Sequence, residues 1–114
     1  MNKTAGINIS EDSTAEELEP IALAIYGTIG LPITMRSKNH NGVRVENSKV
    51  FDYNYTGEYL EKALNTGKMI HGFAGSGPYK GMPVIVSPIK NRNGETIAAI
   101  GTVNLSGYID LKRF

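Results

Sequence analysis

Between Gly72 and Gly81 the chain reads GFAGSGPYKG, four glycines and one proline in ten residues, with Ser76, Tyr79 and Lys80 among them. Successive backbone amides freed of side chains form a concave nest for a carboxylate or phosphate, and a hydroxyl, a phenol and an ammonium add donors at its rim. The chemistry indicated is anion binding. The same glycines also suit a chain that merely crosses the end of a sheet at positive φ. A P-loop is excluded, because Lys80-Gly81-Met82 opens onto a β-branched run, where Walker A needs Gly-Lys-Ser/Thr opening a helix. A nucleophile elbow fails as well, since Ala74 and Pro78 stand where Gly-x-Ser-x-Gly requires glycine.

A second cluster is Arg36, Lys38, His40 and Arg44. If Arg36 and Arg44 share a strand face they can fork a carboxylate; solvated charges on an edge strand are the plainer alternative. His40 and His71 are the only imidazoles. Neither has a neighbour at metal-ligand or triad spacing, and Asp52 orients one of them only if the fold brings them together. His40 is expected in a turn and His71 in a strand, as core or pocket wall. Tyr53, Tyr55 and Tyr59 are expected in a core or a subunit interface, because no RNA-binding signature accompanies them. No catalytic residue, metal ligand set or cofactor is assigned.

The elements that must position these groups centre on Met82 to Leu105, where two apolar, β-branched runs flank Asn91-Arg92-Asn93-Gly94, a strong hairpin signal. With an even loop, Val84, Val86 and Pro88 share an apolar face with Ala99, Gly101 and Val103. The other face mixes Ile85, Ser87, Ile100 and Thr102, and so offers hydroxyls as well as packing. Pro88 removes a ladder donor, which confines the next strand's pairing to the earlier part of this one or introduces a bulge. Upstream, Ser13 and Glu16 have capping-box spacing. Leu18, Ile21, Ala22, Ile25 and Ile29 form the buried stripe of a helix that kinks or restarts at Pro20 and ends by Gly27, Gly30 and Pro32. Ile33 to Ser37 and Val43 to Glu46 read as a first hairpin about Asn41-Gly42. Phe51 to Tyr55 reads as an extended segment, Gly57 to Thr66 as a helix capped by Thr56 and closed by Gly67, and Lys68 to Phe73 as a short strand. Tyr108 to Phe114 forms a final turn. The fold class is therefore α+β: a five-stranded antiparallel sheet with helices packed on one face.

At 114 residues, 40% hydrophobic and 20% charged, the chain is one globular domain, residues 13–114, behind a flexible arm, residues 1–12. Absence of cysteine removes thiol nucleophiles, thiolate metal sites and disulfides. No apolar run reaches the roughly 18 residues of a membrane span and the N-terminus has no signal-peptide core, so a cytoplasmic protein without membrane partners is expected. The net charge of +1 conceals −4 over residues 1–31 and +5 over residues 32–114. The basic charges are scattered singly without interleaved aromatics, which argues against nucleic acid as the partner.

Several motifs converge on a known pattern. The Asn-His-Asn-Gly turn, the helix ending in Asn-Thr-Gly-Lys, the glycine-rich loop, the Lys-Gly-x-Pro strand entry and the stretch Pro-Ile-x-Asn-x-Asn-Gly-Glu-x-Ile-x-x-Ile-Gly-x-Val resemble PAS-like (profilin-like) sensor domains of the Cache and citrate-sensor type. The chain also resembles a family of small archaeal proteins, from methanogens, known as a domain of unknown function. The resemblance implies a five-stranded sheet that binds a small molecule between its face and the loops before the long hairpin. Carried over by position, the ligand-holding residues are His40, Arg44, Ser76, Tyr79 and Lys80. Arg36 and His71 join them from the spacing considered above. A slightly shorter loop places Tyr79 where those sensors carry arginine. With no flanking membrane helix or output domain, a signal is expected to leave through a homodimer or a separate output protein. The expected function is a non-catalytic sensor of a small anionic metabolite; the alternative is an interaction or dimerisation module with no ligand.

Overall fold

The structure is a computed structural model that describes residues 8–104. The expected final turn at Tyr108 to Phe114, Leu105 at the hairpin's end and residues 1–7 of the expected arm lie outside the described residues.

Helix α1, Ala15–Ile29, begins one residue later than the capping-box spacing predicts. Ser13 is occupied: its hydroxyl accepts the Ser10 amide at 2.9 Å and it is 2% exposed. Thr14 and Glu17 form the capping box instead, each accepting the other's backbone amide. The helix runs unbroken through Pro20. Pro20 and Glu16 are both exposed, so the Glu16 carbonyl that loses its helical donor stands on the solvent side. Gly30, at φ 72, closes the helix, its amide donating to the Tyr26 carbonyl at 2.7 Å. Of the expected arm, residues 9–12 lie against the body. Ile9 packs on the core, and Glu11 and Asp12 accept hydrogen bonds from the backbone and side chain of Asn39.

Strands β1 (Ile33–Ser37), β2 (Gly42–Glu46), β3 (Lys49–Tyr55), β4 (Ile70–Phe73), β5 (Pro83–Lys90) and β6 (Thr96–Val103) form one antiparallel sheet in the order β3-β2-β1-β6-β5-β4, and α2 (Glu58–Thr66) links β3 to β4. The sheet thus has six strands, not the five expected. The extra one is the segment of alternating aromatic and polar residues, Phe51 to Tyr55, extended back to Lys49. It folds onto β2 through Asn47 and Ser48, at φ 51 and 65, a two-residue turn with both central residues left-handed. Asn41-Gly42, the turn signal the sequence displays, works differently. Gly42 has no positive φ; a Cβ there would lie 1.7 Å from the Met35 carbonyl oxygen, so close strand approach is what demands glycine.

The long hairpin has the expected faces. Val84, Val86 and Pro88 pair with Val103, Gly101 and Ala99. β4 pairs only with Pro83 to Val86, stopping short of Pro88, and a register shift falls at Ile89/Lys90. The helices, however, lie on opposite faces of the sheet. α1 buries Leu18 and Ala22 against Ile33, Met35, Val43 and Val45, whereas α2 buries Leu60 and Ala63 against Val86 and Ala99. Ala98 and Ala99, consecutive on β6 and so facing opposite ways, are both 0% exposed. A central strand apolar on both faces needs cover on both, and one helix per face supplies it.

Candidate functional site

The α2 face carries a cavity of about 100 Å³. Its floor is the sheet: Thr34 of β1, Val84 and Val86 of β5, and Gly101 and Val103 of β6. One wall is the end of β3 and the first turn of α2, from Tyr55 to Leu60; the other is the glycine-rich loop, from Ala74 to Tyr79. The floor is the apolar face of the hairpin; from the hydroxyl-bearing opposite face, which the sequence offered to a ligand, Thr102 alone reaches the lining, and its hydroxyl donates to the Pro32 carbonyl at 2.7 Å.

Three side-chain contacts fasten the loop over this floor, beside the Ala74–Met82 and Gly81–Ala74 backbone hydrogen bonds that close it. The Tyr59 hydroxyl donates to the Phe73 carbonyl at 2.9 Å. Gly72 makes room for that ring, since a Cβ there would lie 2.6 Å from the Tyr59 oxygen. The Gly75 amide donates to Glu58 Oε1 at 2.9 Å, so a carboxylate of the chain itself engages the loop's backbone. The Tyr79 hydroxyl donates to Glu46 Oε2 at 2.8 Å, and Arg44 Nη1 binds the same oxygen. Arg44 also lies over the Phe51 ring, 5.2 Å from its centroid.

Burial, and next the bond to Glu46, push the Tyr79 phenol far above the ordinary tyrosine range, while Arg44 acts in the opposite sense. Burial likewise raises Tyr55, which Arg44 partly offsets. Both are neutral phenols at physiological pH, donors and acceptors rather than bases.

Of the residues singled out from the sequence, Ser76 and Tyr79 line the cavity, and Arg44 stands behind Tyr79. Arg36 shares the sheet face with Arg44, but the two do not form a fork. Arg36 is spent on Asn41, Thr56, the Ser37 and Lys38 carbonyls and, at 3.7 Å, Glu61. Its partner Thr56 lines the cavity without capping α2, whose N-cap is Gly57 with no side-chain bond. Lys80 is exposed on the loop. His40 is exposed at the β1–β2 turn, where the expected turn position places it. His71 pairs with Ile85 on the sheet face away from the cavity, exposed, its Nε2 3.4 Å from Met69 Sδ. Neither imidazole bonds Ser76 or Asp52; Asp52 accepts the Asn54 amide instead. Among the described residues no three His, Asp or Glu side chains converge as a metal site, and no helix is long and apolar enough to cross a membrane.

Sequence reasoning missed Glu46, Glu58 and the wall from Tyr55 to Leu60. Glu46 was legible, because position i+2 on a strand shares the face of Arg44. Glu58 and Gly75, 17 residues apart, meet only through the fold.

Residues 25–106 match the family described as "Uncharacterized protein conserved in archaea (DUF2111)". An uncharacterized protein of Methanocaldococcus jannaschii is 45% identical over 104 residues, covering 90% of this chain and 79% of the relative. The chain belongs to this archaeal family, and the matched stretch contains every residue that walls the cavity.

Proposed function

We propose that this protein is a non-catalytic, PAS-like binding module that senses a small anionic metabolite held between the sheet and the glycine-rich loop. The observation that carries the reading is the cavity: a valine-rich floor covered by a loop that closes on itself through backbone hydrogen bonds and is fastened over the floor by Tyr59, Glu58 and Glu46. It lies where the resemblance to PAS-like sensors puts a ligand, before the long hairpin. A cavity of about 150 Å³ admits benzene, so about 100 Å³ encloses roughly four non-hydrogen atoms, the size of acetate or of the enclosed part of a slightly longer acid. An apolar tail fits Val84, Val86, Val103 and Leu60. The anionic end has the Ser76 and Tyr79 hydroxyls, while Glu58 and Glu61 in the leading turn of α2 offset the partial positive charge of that uncapped helix end and keep the site to a single negative charge.

Thermal-shift titration with acetate, propionate, butyrate and inorganic phosphate at matched ionic strength tests the reading, because a ligand specific to the native state raises Tm. A saturable rise is expected in the wild type and none in Ala74→Phe, whose ring fills the cavity from the loop. No rise from any anion, together with a stable dimer in solution, turns the assignment to an interaction module. That reading has its own supporting feature, the part of the sheet face near β4 where Met69 and Phe73 are 56% and 68% exposed.

A further inference from the structure

The oxygen at the centre of the Arg44–Tyr79 cluster belongs to Glu46, and its position has a consequence for ligand choice. We infer that Glu46 is a built-in stand-in for the ligand's carboxylate, and that Arg44 and Tyr79 form the pair that recognises a monocarboxylate when Glu46 is displaced. This deepens the binding reading above and rests on it.

Four observations carry it. Tyr79 both lines the cavity and donates a hydrogen bond to Glu46, so a donor in the cavity wall is already committed to an anion. Arg44 binds that same Glu46 oxygen, which gives the carboxylate a guanidinium and a phenol, the donor set a bound acid would require. Glu46 is two residues from Arg44 on one strand, and its side chain is 26% exposed, so it can turn to water without moving the backbone. Arg44 keeps a second support when Glu46 leaves, because its guanidinium lies over the Phe51 ring, 5.2 Å from the centroid. Exchange of one carboxylate for another conserves charge and planar geometry. A phosphate dianion would add a charge that Glu58 in the cavity wall and Glu46 beside Tyr79 oppose, and no cationic side chain lines the cavity itself. The ligand class is therefore a small monocarboxylic acid, recognised against internal competition.

NMR titration of the full chain with propionate, and with propionamide as its neutral isostere, separates the possibilities. Glu46→Gln keeps the shape and removes the competing charge. It is expected to bind propionate roughly tenfold more tightly than the wild type, with propionamide unchanged. Adding Tyr79→Phe is expected to erase the gain. Equal propionate affinity in wild type and Glu46→Gln, lost in Ala74→Phe, would overturn the role of Glu46 and leave cavity binding standing. Absence of binding in both folded proteins would overturn both. Should Glu46→Gln fail to fold, Arg44→Gln decides, because Arg44 does not line the cavity and meets a ligand only where Glu46 has turned away: weaker propionate binding with propionamide unaffected supports the exchange, and unchanged propionate binding refutes it.

Discussion

At the scale of single residues, the site is governed by who already owns each polar group. Arg36, Arg44 and the Gly75 amide were all legible as anion-binding groups from their types and spacing. In the fold, each is engaged by a partner of the chain itself: Thr56, Asn41 and Glu61 for Arg36, Glu46 for Arg44, Glu58 for Gly75. A sequence displays donors without displaying their distant acceptors: Glu46 is legible as a same-face neighbour of Arg44, but its bond to Tyr79, 33 residues away, is made only by the fold. The Tyr79 phenol also makes stability pH-dependent. Burial and the Glu46 bond raise its folded-state pKa above the ordinary 10.0, so the native state holds a proton that the unfolded chain releases. Its contribution is complete below pH 10.0 and is lost as the pH rises through the folded value. Tyr55, raised mainly by burial, adds the same sign. The expected outcome is a Tm that falls above about pH 10, with a shallower fall in Tyr79→Phe, measured by calorimetry across the alkaline range.

At the scale of elements, local signals performed well where one residue type answers one geometric need. Gly30 and Gly67 end their helices as left-handed caps, and the Asn-Gly hairpin sets the register of β5 and β6. They failed where two residues met the same need by other means. Asn47 and Ser48 both sit at positive φ without a glycine, so the turn that creates β3 carried no glycine signal. Ser48 bears the cost of that conformation, about 1 kcal/mol for a residue with a Cβ. Ser48→Gly is accordingly expected to stabilise the protein by up to about 1 kcal/mol in urea denaturation, without altering the cavity. A loss of stability would mean that the Ser48 side chain contributes something its conformation does not reveal.

At the scale of the whole molecule, the decisive feature is a central strand buried on both sides. Ala98 faces the α1 side and Ala99 the α2 side, and both are fully buried. Placing a carboxylate at either position removes it from water with no partner. Ala98→Asp and Ala99→Asp are therefore each expected to cost about 3 kcal/mol or more in denaturant unfolding. Had both helices lain on one face, one of the two changes would be tolerated. By itself the sequence determined the α+β class, both helices, the long hairpin with its two faces, and the loop that overlies the cavity. These depend on periodicity, caps and turn chemistry, which are properties of neighbours along the chain. Only the tertiary structure decided that the helices take opposite faces, that β3 joins the sheet, that His71 faces away from the cavity, and that Glu46 and Glu58 answer the donors around it. Each of these is a pairing between residues distant in sequence or a choice between two sheet faces, and the physics of neighbours leaves both open.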